Sequence, residues 1–143
     1  MKTLNTIILA LGAVAVLGTT GLYAQSAVAN VPFDFTAQTV TLPAGQYEVT
    51  RLSSTSGVLH LINLETRKSV LVMAAPGQSA ADNAGTTTGK VIFHRYGERY
   101  FLSEIWTPNG PTGRVTPSKA ERELKANGGE KQMASVGIPL AAQ

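Results

Sequence analysis

Two histidines, His60 and His94, are the only imidazoles in the chain, and there is no cysteine. The missing thiols exclude a thiolate nucleophile, an iron–sulfur cluster and a Cys-type zinc site. A metal centre would need both histidines with carboxylates such as Asp34, Glu48 or Glu104. Neither an H-x-H nor an H-E-x-x-H spacing occurs, and each histidine stands alone in an apolar run, as a hydrogen-bonded strand residue does. A Ser-His-Asp set can be assembled from any sequence holding those residue types, but no G-x-S-x-G elbow is present. Ser53, Ser54 and Ser56 lie in a polar cluster and suit turn formation. No spacing nominates a carboxylate pair for glycoside cleavage. Gly77, Gly85 and Gly89 match neither the Walker pattern nor the dinucleotide fingerprint. The expectation is a protein without catalytic residues, metal or cofactor.

One cluster suits recognition. Arg95, Tyr96, Arg99 and Tyr100, followed by Phe101, interleave basic and aromatic side chains around one hairpin tip. Arg and Tyr are favoured as interface anchors, and a carbohydrate or anionic glycan would stack there. The competing reading needs no partner: the tyrosines cover the sheet end and the arginines pair with Glu98 and Glu104 across strands. Nucleic acid is not an expected partner. The formal charge is only +3, and residues 90–143 hold eight basic against five acidic side chains. That is far from a clustered basic face.

These residues sit in a chain of 143, the length of one domain. Apolar residues reach 43% and charged residues only 15%, so the chain can bury a core and is not disordered throughout. The first residues read as targeting. Lys2 is the single charge before residues 7–17, IILALGAVAVL, and small-x-small sites end at Ala24 and at Ala29. This is the pattern of a secretory signal peptide over residues 1–24, with an alternative cleavage after 29. The competing reading is an uncleaved anchor, but Thr19, Thr20 and the glycines dilute a stretch already short for a membrane span. Export to the periplasm or beyond follows, with membrane contact only through that signal.

Beyond it the dominant period is two. Val31, Phe33 and Phe35 alternate with polar residues and Pro32, marking a half-buried strand. Thr39–Leu42 reads as a strand entry, Pro43-Ala44-Gly45 as a turn, and residues 46–52 as a strand. Residues 58–62 form an apolar run, like a strand buried on both faces, and pair with 69–74 as a hairpin. Residues 75–89 read as a long loop. Residues 90–96 and 100–106 flank Gly97-Glu98-Arg99 as a second hairpin. With Gly97-Glu98 as the loop, Tyr96 pairs with Arg99, Arg95 with Tyr100, His94 with Phe101 and Phe93 with Leu102. Val91, Phe93, Leu102 and Trp106 then share one face; Ile92, His94, Tyr96, Phe101 and Ile105 share the other.

Ser118 and Glu121 make a capping box for a short, charged helix over 118–126. Residues 127–143 read as a flexible tail, and 30–117 as the β domain. The whole predicts an all-β chain: an antiparallel β-sandwich or a partly closed barrel with a short C-terminal helix. The expected core is Phe33, Phe35, Val49, Leu59, Leu61, Leu71, Phe93, Leu102 and Trp106.

The segments Val31-Pro-Phe-Asp-Phe-Thr36, Leu42-Pro-Ala-Gly-Gln-Tyr-Glu-Val49, Phe93-His-Arg-Tyr-Gly-Glu-Arg-Tyr-Phe-Leu102 and Ser118-Lys-Ala-Glu-Arg-Glu-Leu124 together resemble a group of small exported bacterial proteins. The resemblance covers most of the chain after the signal. It implies an exported β protein and carries no catalytic residue over.

The functional expectation is a non-enzymatic exported envelope or extracellular protein with a binding or structural role, its partner an envelope protein or polysaccharide. The alternative is a carrier of a small apolar ligand inside a barrel. A small periplasmic hydrolase ranks third.

Overall fold

The computed structural model describes residues 26–52, 56–76, 89–107, 112–129 and 133–142. The expected signal segment and residues 77–88 of the expected loop lie outside them. Ten strands and one helix follow in order: β1 (Ser26–Val31), β2 (Phe35–Ala37), β3 (Val40–Leu42), β4 (Gly45–Arg51), β5 (Val58–Asn63), β6 (Ser69–Pro76), β7 (Gly89–Tyr96), β8 (Arg99–Trp106), β9 (Thr112–Val115), α1 (Lys119–Ala126) and β10 (Met133–Ala142). Eight of the strands run side by side as β8-β7-β10-β1-β4-β5-β6-β9, and β9 pairs back onto β8. Every one of those pairings is antiparallel. The fold is therefore a closed antiparallel barrel, the second of the two architectures the strand pattern allows.

An eight-stranded barrel is just wide enough for side chains to fill its interior. Here alternate residues do so. Ala29, Val49, Leu61, Val72, Phe93 and Val115, from six different strands, are all buried in one contiguous core. Phe35 reaches in from β2, with its ring 5.1 Å from Tyr47 and 5.0 Å from Phe93.

The short β2–β3 hairpin seals the wall. β9 bonds β8 only at residues 104–106 and β6 only at residues 74–76. Past β9, β2 joins β8 through one parallel bridge, Thr36 to Phe101. On the other side Gln38 sits at the hairpin turn with φ +54°. With its amide turned so that the nitrogen faces the Leu71 carbonyl, the side chain donates to that carbonyl at 3.3 Å and its oxygen accepts from the Met73 N–H at 3.2 Å. A side-chain amide thus takes the place of a strand along the exposed edge of β6, the kind of edge that otherwise invites pairing with another chain.

The turn entering β4 is a tyrosine corner. The Tyr47 hydroxyl donates to the Pro43 carbonyl four residues upstream, an arrangement that ties a strand to the loop before it. Asp34 Oδ1 accepts from the Ala44 N–H at 2.9 Å. Gly45 has φ +148°, and a Cβ there would meet Asn63 Nδ2 at 2.7 Å, so only glycine fits. Burial pushes the Tyr47 phenol above its ordinary value, and the Asp34 charge adds to this against the Asn63 side chain.

Several expectations need correction. Residues 133–142 are not a tail: β10 pairs with β7 over eight residues and with β1 over three. Without it the barrel would be open. The β domain also begins earlier, at Ser26, since Ala27 and Ala29 are core residues. Residues 58–62 are not buried on both faces, because Leu59 and Leu61 point in while Val58, His60 and Ile62 are half-buried. Leu71 lies on the outer face and is 53% exposed.

The hairpin β7–β8 has the expected register from Tyr96–Arg99 to Phe93–Leu102, and then a bulge shifts it so that Ile92 faces Glu104. Ser103 is the extra residue. A bulge reverses which side chains point inward beyond it. Ile105 is therefore in the core, and Trp106 lies half-buried outside it, under Lys90 at 4.0 Å. Phe33 packs on the core from its edge and is only partly buried.

Candidate functional site

The hairpin alternation divides the four expected binding residues between two faces. Arg95 and Tyr100 are opposite each other, as are Tyr96 and Arg99. Tyr100 packs against the barrel core. Its ring stacks on Phe33 with centroids 3.7 Å apart and planes 11° apart. The Arg95 guanidinium lies 5.7 Å from the Tyr100 ring, and the Arg95 side chain is 45% exposed. Arg95 Nε also donates to the Gly97 carbonyl at 2.7 Å, which fixes the stem of the side chain across the turn. Guanidinium, phenol ring and phenyl ring thus form one layer at the hairpin end.

Tyr96 and Arg99 belong to the outer face. Arg99 lies over the Phe101 ring at 5.2 Å. Tyr96 and Phe101 are both buried, with ring centroids 5.7 Å apart, yet neither belongs to the barrel core. Helix α1 covers them: Gly129, just past its end, comes so close that a Cβ would lie 3.4 Å from the Tyr96 ring. Tyr96 is a packing residue, and it leaves the exposed patch that the sequence suggests.

What holds α1 down is polar. Ser118 caps the helix, its hydroxyl accepting from the Glu121 N–H at 3.1 Å. Only half of the expected capping box forms. The Glu121 side chain turns inward instead, to 1% exposure. Its Oε1 lies 2.7 Å from His94 Nδ1 and accepts from the Tyr96 hydroxyl at 3.1 Å. Lys125, one turn on, is 3.8 Å away. Burial works to raise the Glu121 pKa. The hydrogen bond and charge of His94, with Tyr96 and Lys125, outweigh it and hold the carboxyl below its ordinary value. The other ring nitrogen of His94, Nε2, is 2.9 Å from Ser103 Oγ.

Protons on this line can be assigned by chemistry. An ionised carboxylate only accepts, so Nδ1 carries the hydrogen toward Glu121; in the neutral ring Nε2 then accepts from the Ser103 hydroxyl, and in the charged ring it donates to it. Three elements contribute: β8, β7 and α1. Ser103 and Glu121 were absent from the residues that the sequence nominated. Glu121 stood out only as half of a capping box, and Ser103 carried no motif at all. Their meeting depends on a bulge and on the docking of α1, and neither is written in local spacing. His60, the second imidazole, is half-buried on β5 and distant in sheet order from this line. No group of three or more metal-ligating side chains gathers among the described residues.

No family model matches the chain, and neither a curated protein nor a solved structure matches it.

Proposed function

We propose that this is an exported barrel protein that acts by binding, and that it engages an acidic envelope polysaccharide through the layer of Arg95, Tyr100 and Phe33. One observation carries the reading. A half-exposed guanidinium is held over an aromatic stack by its own hydrogen bond to Gly97. A fixed guanidinium binds a carboxylate or sulfate group with two N–H donors, and the stacked pair of Tyr100 and Phe33 beneath it backs that guanidinium. Arg95 also has Glu98 at 4.0 Å, but that carboxylate is almost fully exposed, so the pair is weak and easily exchanged for a ligand anion.

The ligand-carrier reading has less support. A closed barrel suits it, but Tyr47, Phe35 and Phe93 run in ring contact across the interior that a ligand would occupy.

The test is calorimetry or affinity electrophoresis with polygalacturonate at low ionic strength, comparing wild type with Arg95→Ala and Arg99→Ala. Binding that weakens about tenfold in Arg95→Ala, weakens with salt and is little changed in Arg99→Ala supports the layer. Equal binding by both variants, or none by the wild type, overturns it.

A further inference from the structure

We infer that Ser103 is an activated nucleophile and that the protein cleaves small carboxylic esters at it. The expectation of no catalytic serine rested on a missing sequence elbow. A serine–histidine–carboxylate set is defined by geometry and roles, which recur on unrelated folds in different chain orders. The geometry here is complete along the line of proton transfer. Ser103 Oγ is 2.9 Å from His94 Nε2, and His94 Nδ1 is 2.7 Å from Glu121 Oε1. Glu121 is buried and its oxygen is further tied by Tyr96, so the carboxylate that orients the imidazole cannot swing away. Of the two neutral tautomers only one satisfies both bonds, and in that form Nε2 faces the hydroxyl as a base. Ser103 also occupies the extra position of a β-bulge, a feature over-represented beside active sites because it re-aims a side chain.

The same line has a purely structural use, anchoring α1, and the two roles make different predictions. In the catalytic role the chemistry balances. Ser103 Oγ bonds to the carbonyl carbon as its proton passes to His94 Nε2. Collapse breaks the bond to the alcohol oxygen, which leaves with that proton. Water then attacks the acyl-serine, giving a proton to His94. The carboxylic acid departs, and Oγ recovers its hydrogen. Access limits the substrate: the Ser103 residue is 7% exposed, and the His94 side chain 20%. The acyl group must therefore be small, of acetyl size, entering beside the exposed edge of the imidazole. Arg95 and Tyr100 take no part, so this inference and the proposed binding role stand or fall separately.

The experiment treats the folded protein with methanesulfonyl fluoride, which transfers a group of about acetyl size to an activated serine and releases fluoride, and locates the adduct by mass spectrometry, alongside hydrolysis of 4-nitrophenyl acetate. A single adduct on Ser103 is expected, with loss of both reactions in Ser103→Ala. His94→Gln should slow labelling by about 100-fold or more, because a positioned base contributes at least that much. Leu71→Ala, on the outer face of β6, should label like wild type. Thermal unfolding of each variant shows that it is folded. No adduct on the folded wild type, an adduct elsewhere, or ester hydrolysis unchanged in Ser103→Ala overturns the inference. If His94→Gln does not fold, the comparison of wild type with Ser103→Ala still decides it.

Discussion

Glu121 Oε1 lies 2.7 Å from His94 Nδ1, which joins the first turn of a largely exposed helix to the hairpin end of β7. A charged helix has little apolar surface with which to dock, so this buried contact is its main anchor. Replacing Glu121 with Ala removes the carboxylate that accepts from the imidazole and from the Tyr96 hydroxyl. The expected loss is roughly 3 kcal/mol, measured by chemical denaturation. A loss under about 0.5 kcal/mol would show that α1 docks without it.

The same carboxyl fixes the direction of an acid dependence. Its folded pKa is lowered from 4.5, so its contribution is complete above that value. It is lost as pH falls through the lower folded value. Wild-type stability should decline in that acid window, and Glu121→Gln should lack that part of the decline. Parallel acid profiles for the two proteins would contradict the shift.

Tyr47 predicts the opposite limb. Its folded pKa is raised above 10.0, so the folded state holds a proton that the unfolded chain releases. That contribution is present below about pH 10 and is lost as pH rises beyond it. Tyr47→Phe leaves the Pro43 carbonyl without its donor and should cost roughly 1–3 kcal/mol at neutral pH. It should also flatten the alkaline decline in unfolding midpoint.

Adjacent residues on β6 test the barrel's inside-out alternation. Val72 is fully buried and Leu71 is 53% exposed. Val72→Ala should destabilise by about 1–3 kcal/mol, whereas Leu71→Ala should stay within about 0.5 kcal/mol. Phe93→Ala, at the centre of the ring cluster, should cost about 3–5 kcal/mol. Reversed values for the β6 pair would mean that the strand faces the other way.

The position of β1 makes a prediction about processing. Ala27 and Ala29 line the core, and β1 pairs with both β4 and β10. A chain beginning at Asn30 would lose most of that strand and leave two barrel edges unpaired. A chain beginning at Gln25 should unfold cooperatively and one beginning at Asn30 should not, as read by near-ultraviolet circular dichroism on heating. Equal transitions for the two would show that β1 is dispensable.

Local pattern was enough for much of this architecture. Alternation put Val91 and Phe93 together on the inner face of β7, Val49, Leu59 and Leu61 were expected core residues, and Gly97-Glu98 set the register of β7–β8 because a two-residue turn admits only one. The errors come from non-local causes. The bulge at Ser103 inverted Ile105 and Trp106, since nothing in Leu102-Ser103-Glu104 announces an extra residue. β10 was read as a tail because Ala134, Ser135 and Gly137 carry little apolar signal; its order comes from two neighbouring strands. Glu121 looked like a capping residue, and only the placement of β7 beneath α1 shows what it binds. The candidate site was less legible than the fold for the same reason: its three members come from separate elements and acquire their relation only on docking.

The strand that opens the barrel lies beside the strand that ends it, with Ala27 opposite Ala142. A chain delivered from its N-terminal end therefore cannot close until β10 arrives. Until then, β1 and β7 each wait with an unfilled side, and the loop to be closed spans nearly the whole described chain. That ordering delays the most entropically expensive contact to the end. It keeps the unfinished protein an open sheet, vulnerable to proteases and to pairing with its neighbours. It also makes β10 a checkpoint: a chain truncated before it should be recognised and degraded, however well its earlier hairpins have formed.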